Sequence, residues 1–260
     1  MDPGTVTILT ATLYKSVEEL RFYLACQMIG NAVALGYNVS VVDNSPDPLV
    51  RESFSRISAE ARQQLSRSGM GPQRRELFRA IPRRFTETKF FLWTEPEKPD
   101  LIRSIPQIIA PLESGEADIV IPCRSEESLK TYPEFQVVSE RKMNRIYREI
   151  TGLPDADPTI GPVAFGRRVL YYFVECSPQE QYGEGAHDGY IQLYAPLKAM
   201  ARGHRIATVE IDCFYPAAQK KEEDGKLATA MLEKRKMQAD TITSTWRRMA
   251  EVLGLPQLQH

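Results

Sequence analysis

The chain has 260 residues, 42% of them hydrophobic and 26% charged, enough apolar material for a sizeable core and too much for a disordered segment. Its 33 basic and 34 acidic residues leave a net charge of −1, which argues against a protein built to hold nucleic acid by neutralising phosphates. Cys26, Cys123, Cys176 and Cys213 lie far apart with no C-x-x-C pair, which disfavours a cysteine zinc site and fits free thiols in a reducing cytoplasm. The first residues lack a signal-peptide pattern, and no apolar run approaches the ~18–20 residues of a transmembrane helix. A cytoplasmic α/β protein is expected.

Val6-Thr7-Ile8-Leu9-Thr10 is a β-branched run ending in a small polar residue, as a buried first strand does. Residues 16–35 carry a helical pattern, opened by a Ser16/Glu19 capping box, with Leu20, Leu24 and Met28 on one face and Gly36 at its end. Residues 38–42 read as a second strand, halted by Asp43-Asn44-Ser45-Pro46-Asp47-Pro48. This β-α-β unit predicts parallel pairing through a right-handed crossover. A helix over 48–66, a turn at Gly69-Met70-Gly71-Pro72 and a short helix over 73–81 follow. The apolar run 89–93 predicts a third strand, which Pro96 must leave. A helix over 99–114, a strand over 117–122 and a helix over 140–151 stopped by Gly152 come next. Residues 182–189 read as a Gly-rich loop, 190–202 as a helix, 206–211 as the last strand, and 216–226 as a charged, mobile segment. Residues 1–226 are expected to form one domain, with 227–260 a helical extension whose helix runs over 227–253.

In an open parallel sheet, ligands bind beyond the carboxyl ends of the strands, so the residues following each strand are the candidates. Thr10, Ala11 and Thr12 are small enough for a base or ribose to approach the backbone. Asp43 can accept from a base N–H or a ribose hydroxyl, although Asp-Asn-Ser-Pro is also ordinary turn chemistry. Gly71-Pro72 with Arg74 and Arg75 is either a phosphate-contacting helix start or a solvated basic surface; Arg83-Arg84 is a second basic cluster. Glu95 and Glu97, on either side of Pro96, can offer hard oxygen ligands to a divalent cation that also holds substrate phosphates, or can form a polar turn in which Glu97 opens a helix. In the loop from Gly183 to Gly189, His187 is a candidate metal ligand and Asp188 a candidate general base; the alternative makes Asp188 a helix N-cap.

Taken in order, these segments resemble a GT-A-fold glycosyltransferase of the family 2 type, close in layout to dolichol-phosphate mannose synthases and mannosylglycerate synthases. Val42-Asp43-Asn44-Ser45-Pro46-Asp47 resembles the family's Val-Asp-(Asp/Asn)-Gly-Ser-x-Asp signature, and Gly69-x-Gly71-Pro72-Gln73-Arg74 its Gly-rich turn. Leu92-Trp93-Thr94-Glu95-Pro96-Glu97 occupies the place of the Asp-x-Asp motif, with longer side chains and a stiffer turn. Ala117-Asp118-Ile119-Val120-x-x-x-Arg124 matches the family's next strand, and Ser139, Asn144, Gly152-Leu153, Asp157, Gly161 and Phe165 fall into its later series.

The resemblance implies a mostly parallel central sheet flanked by helices, and transfer of a sugar from a GDP- or UDP-linked donor with Mn²⁺ or Mg²⁺. It assigns nucleotide binding to Thr10, Ala11, Thr12, Asp43, Gly71, Arg74, Thr94 and Glu95, and diphosphate or sugar binding to Arg124, Asp157 and Gly161. Metal binding falls to Glu95, Glu97 and His187, and catalysis to Asp188 and His187. The acceptor is a small molecule, glycan or lipid phosphate; a homodimer is compatible, while nucleic acid and a membrane-spanning segment are not expected. Two alternatives stand beside this reading. A non-catalytic sugar-nucleotide binder would explain Glu-Pro-Glu. A sugar-phosphate nucleotidyltransferase would normally carry a Gly-rich phosphate loop after the first strand, and residues 10–15 contain no glycine.

Overall fold

The computed structural model describes residues 1–57, 59–63, 69–183, 186–223 and 228–256; the side chains of 63, 82, 83 and 228–230 also lie outside the description. Among the described residues seven strands form one sheet: β1 (Val6–Thr12), β2 (Asn38–Asp43), β3 (Glu60–Gln63), β4 (Phe90–Trp93), β5 (Ile119–Arg124), β6 (Val163–Gly166) and β7 (Ile206–Ile211). Their order is β3-β2-β1-β4-β6-β5-β7. β6 runs antiparallel to its neighbours β4 and β5, and the other pairs among these strands are parallel. The helices are α1 (Leu20–Ala34), α2 (Pro48–Arg56), α3 (Met70–Arg84), α4 (Ile105–Glu113), α5 (Glu126–Leu129) and α6 (Glu134–Thr151). They continue with α7 (Leu170–Val174), α8 (Pro178–Tyr182), α9 (Ile191–Met200), α10 (Ala217–Glu223) and α11 (Ala228–Leu253). Among the described residues, no helix is long and apolar enough to cross a membrane.

The middle of the sheet is covered on both faces, which is why its central strands read as apolar runs rather than alternating ones. Ile8, Val41, Leu92 and Val120 pack with α1, α2 and α4 residues such as Met28, Phe54 and Ile108. Leu9, Phe91, Trp93 and Phe165 point the other way, into a cluster with Phe78 of α3, Tyr147 of α6, Phe173 of α7 and Trp246 of α11. The C-terminal helix is therefore part of the same buried cluster as the sheet. Trp246 is fully buried, donates from Nε1 to Leu193 O at 3.2 Å and meets the Tyr147 ring edge-on at 5.0 Å.

The structure corrects several expected boundaries. The first helix begins at Leu20, not Ser16: the Glu19 carboxylate accepts from the Lys15 N–H, so the Ser16/Glu19 pair closes a turn rather than a helix start. The expected helix over 48–66 ends at Arg56, and residues 60–63 pair with β2 as an edge strand; Ser58 and residues 64–66 lie outside the described residues. The free edge of β2 outweighed helical periodicity in a segment whose charges suit an edge strand. α3 extends the expected 73–81 helix in both directions, and α6 begins six residues before the predicted 140. β6 was not predicted, because four residues next to glycine carry no readable period. α10 replaces the mobile segment expected at 216–226, of which 224–226 lie outside the described residues. It is docked by Lys220 Nζ donating to Tyr132 O at 3.2 Å, and the Tyr132 and Tyr215 rings pack 4.8 Å apart.

Trp246→Ala removes a fully buried aromatic side chain and its indole hydrogen bond. It is expected to lower unfolding stability by about 3–5 kcal/mol, read as a reduced denaturant midpoint; a loss below about 1 kcal/mol would show that α11 contributes little to the core.

Candidate active site

Parallel pairing brings the ends of β1, β2 and β4 to one edge of the sheet. Thr12 lies opposite Asp43 and Leu9 opposite Trp93, and the Thr94 N–H continues the ladder to Leu9 O at 3.0 Å. Thr10 and Thr12 are buried, Ala11 is half-buried, and Thr10 Oγ1 has no hydrogen-bond partner. Asp43 has no exposed surface. Its Oδ1 accepts from Thr12 Oγ1 at 2.8 Å, Ser45 Oγ at 2.6 Å and Ser45 N at 3.2 Å. Oδ2 accepts no hydrogen bond; the nearest charge is Arg51 Nη1 at 3.9 Å. A buried carboxylate oxygen without a donor is unfavourable, so it marks a place where a ligand donor would be gained.

α3 starts over this edge. Gln73 Nε2 donates to Val42 O at 3.1 Å and Thr12 O at 3.4 Å, clamping the ends of β2 and β1. A Cβ on Gly71 would stand 2.5 Å from Asp188 O, so this glycine admits the loop before α9. Arg74 donates to Gly189 O and, at 2.6 Å, to Gln192 Oε1, and lies 4.7 Å over the Trp93 ring. Burial lowers its pKa, while Glu95 pulls in the opposite direction.

After β4 the chain turns at Pro96. Thr94 Oγ1 donates to Glu95 O at 3.0 Å. Glu95 Oε2 is buried without a hydrogen bond, although Lys98 Nζ stands 3.4 Å away. The carboxylate lies against Gly161 (φ +100°), where a Cβ would overlap it. Glu97 is otherwise engaged: its Oε1 accepts from Tyr14 OH at 2.9 Å and pairs with Arg21 Nη2 at 2.8 Å. Tyr14 is raised well above a free phenol by burial and then by the adjacent Glu97.

Glu95 and Glu97 both line a cavity of about 270 Å³, together with Arg74, Lys98, Tyr190 and Arg235 among others. A smaller pocket of about 80 Å³ continues past Gly161 beneath α11. A groove of about 920 Å³ lies against α3 around Arg62, Arg79 and Arg84. Volume alone does not mark a site; the smaller cavity is where strand ends, carboxylates and cations converge.

The other predicted residues fall elsewhere. Arg124 is bidentate to Asp157, with Nε to Oδ2 at 2.7 Å and Nη2 to Oδ1 at 2.8 Å, and donates from Nη1 to Glu140 Oε2 at 2.7 Å. Burial would lower its pKa, but Glu140 and Asp157 outweigh that and hold it well above the usual guanidinium value. Asn144 and Thr159 complete the network, so Arg124 and Asp157 are committed to each other and border a different groove. Asp188 Oδ2 pairs with Arg75 Nη1 at 3.0 Å, and Oδ1 accepts from Gln179 N at 2.9 Å. His187, not Asp188, caps the short 3-10 turn over 188–190 that leads into α9: its Nδ1 accepts from Gly189 N at 2.9 Å, and its ring stacks on Tyr190 at 5.3 Å. Burial lowers the His187 pKa, Asp188 opposing and Arg74 adding to the effect. Glu184 and Gly185 of this loop, and the Arg83 side chain, lie outside the described residues.

Among the described residues, no three His, Cys, Asp or Glu side chains converge as a metal cluster. Glu95 nevertheless fits a hard divalent cation of the kind held by one or two carboxylates plus substrate phosphates, because its buried Oε2 lacks a donor.

Several cavity residues escaped the sequence reading. Lys98 adjoins a motif that was singled out, and Tyr190 follows the Gly-rich loop, so adjacency was an available signal. Arg21, Arg235 and Gln238 arrive from helices with no local motif. Arg235 Nη2 donates to Gln136 Oε1 at 3.0 Å, and Gln238 Nε2 donates to Tyr190 OH at 2.7 Å.

No protein-family model matches the sequence, and no curated protein matches it. Solved structures do match. Glucosyl-3-phosphoglycerate synthase from Mycobacterium tuberculosis, in complex with Mn²⁺, UDP-glucose and phosphoglyceric acid, aligns with TM-score 0.53 at 15% identity, over 89% of this chain and 79% of that one. Mannosyl-3-phosphoglycerate synthase from Rubrobacter xylanophilus aligns with TM-score 0.57 at 12% identity, over 98% and 77%. A CMP-2-keto-3-deoxy-manno-octonic acid synthetase complexed with CTP aligns with TM-score 0.50 at 14% identity, over 88% and 99%. At such identities the likeness is one of fold: this chain has a GT-A-like α/β fold.

Proposed function

We propose that this protein is a glycosyltransferase that moves a sugar from a UDP- or GDP-linked donor to a hydroxyl-bearing acceptor. One observation carries the reading: the Glu95 carboxylate, with a buried oxygen that no protein donor bonds, stands at the strand-end edge in a cavity that also holds Arg21, Arg74, Lys98 and Arg235. Solved proteins of the same fold that hold Mn²⁺ and UDP-glucose support it.

In this proposal Asp43 Oδ2 accepts from the base or ribose, while Thr12 and Ser45 fix its other oxygen. Thr10, Ala11 and Thr12 form the floor beneath the nucleoside. Gln73 holds the two strand ends together, and Gly71 lets the loop before α9 close over α3. Arg74, held on Trp93, faces the diphosphate. Mn²⁺ or Mg²⁺, when bound at Glu95, supplies positive charge against the departing diphosphate. The bond between the sugar's anomeric carbon and the diphosphate oxygen breaks, its electron pair leaving with the nucleoside diphosphate. A bond from the acceptor oxygen replaces it, and the acceptor's hydroxyl proton passes to solvent. His187 and Asp188 act here as positioning residues, since the pairing of Asp188 with Arg75 holds the loop that presents Tyr190 to the cavity.

A second reading draws on the engagement of Glu97 and Asp188 with protein partners: a sugar-nucleotide binder without turnover. Assay of purified protein with UDP- and GDP-sugars in Mn²⁺ separates the two. Transfer or slow donor hydrolysis is expected, at least about 100-fold lower in Glu95→Ala; nucleotide binding with no turnover of any donor would favour the binder.

Binding is expected to show in thermal melts. UDP or GDP at 100 times its Kd with Mn²⁺ adds about 2.7 kcal/mol of apparent stability, or roughly 5–10 °C in Tm for a chain of this size. Chelation, or Glu95→Gln, should remove the metal-dependent share of that rise; an unchanged shift in both would separate Glu95 from the metal.

Asp43→Asn places an amide donor where the ligand's own donor must point. Nucleotide affinity should fall at least about tenfold by calorimetry, with little change in Mn²⁺ dependence. Wild-type affinity in this variant would remove Asp43 from the nucleotide site.

A further inference from the structure

We propose that Lys98 is a diphosphate-binding residue that, until nucleotide and metal arrive, places its ammonium against Glu95 where the divalent cation would act. The inference rests on the transferase reading and adds to it a residue that neither the motif nor the resemblance singled out.

Lys98 directly follows Glu95-Pro96-Glu97. The Pro96 turn returns its side chain to the cavity that Glu95 lines. Nζ stands 3.4 Å from Glu95 Oε2 without hydrogen-bonding to it, and the side chain is only 19% exposed. The ammonium is thus close enough to neutralise Glu95 but is not fastened to it. Glu97 gives its Oε1 to Tyr14 and Arg21, and Glu140 is bonded by Arg124 and Gln136, which leaves Glu95 as the cavity carboxylate that Lys98 answers.

A compact ammonium on a flexible four-carbon stem can change partners where a forked guanidinium fixed by several bonds cannot. Lys98 and Arg74 differ in this respect, since Arg74 is already bonded to Gly189 and Gln192. A divalent cation on Glu95 repels Lys98, whereas a diphosphate attracts both. The two cations should therefore oppose each other in the empty protein and cooperate once a diphosphate is present, a coupling that thermodynamics makes reciprocal.

Calorimetry on the full-length wild type, Lys98→Met and Lys98→Arg tests this with three titrations: Mn²⁺ alone, UDP or GDP in chelator, and the same nucleotide with Mn²⁺. Lys98→Met should bind Mn²⁺ severalfold more tightly in the absence of nucleotide, and should lose at least about tenfold in chelator-treated nucleotide affinity. Lys98→Arg should recover part of that affinity. Metal-free nucleotide binding equal to wild type in Lys98→Met, or Mn²⁺ binding unchanged there, overturns the inference while leaving the transferase reading in place. Wild-type protein that binds neither UDP nor GDP even with Mn²⁺ overturns both. Should Lys98→Met fail to fold, Lys98→Gln takes the same three titrations, with the same changes expected and the same results overturning the inference.

Discussion

A carboxylate at the end of a buried apolar strand must find compensating charge, and in this protein that demand falls on Glu95. Its Oε2 is buried and, among the described residues, lacks a hydrogen bond, with Lys98 at ion-pair distance. Several cations gather around it. Arg74 over Trp93, Lys98 after the Pro96 turn and Arg235 from the C-terminal helix all border the same cavity. A nucleoside diphosphate with a divalent ion is the kind of ligand whose charges complete this set.

The fold holds that arrangement by two devices. The antiparallel strand β6, inserted between β4 and β5, brings its N-terminal end to the edge where the parallel strands finish, so that Gly161 lies against Glu95. Its φ of +100° and the closeness of the carboxylate favour glycine there. The second device is the buried Arg124–Asp157–Glu140 network, which joins the end of β5 to α6 and, through Glu140 Oε1 at 3.7 Å, to Arg235 of α11. Breaking one partner of such a network leaves an uncompensated buried charge, so Arg124 acts as a strut behind the cavity wall.

The sequence made the sheet's parallel half legible because Val6–Thr12, Asn38–Asp43 and Phe90–Trp93 are apolar on both faces and end in polar turns. Asp43 and Glu95 could be named because a strand-end carboxylate is visible without coordinates. Two strands were not legible for opposite reasons: Glu60–Gln63 is too polar to look buried, and Val163–Gly166 is too short to show a period. Partnerships were harder still. That Asp157 and Glu140 surround Arg124, and that Tyr14 and Arg21 meet at Glu97 Oε1, shows only in three dimensions. Partners 83 and 99 positions away along the chain make the Glu97 and Arg235 environments, and nothing local encodes such distances.

Anomalous diffraction from crystals grown with Mn²⁺ and UDP or GDP tests the central placement most directly. A single strong peak within coordination distance of the Glu95 carboxylate and the nucleotide phosphates, with the base or ribose against Asp43, is the predicted result. A peak at His187 or on another face of the sheet, or a nucleotide that leaves Asp43 and Glu95 untouched, would contradict it.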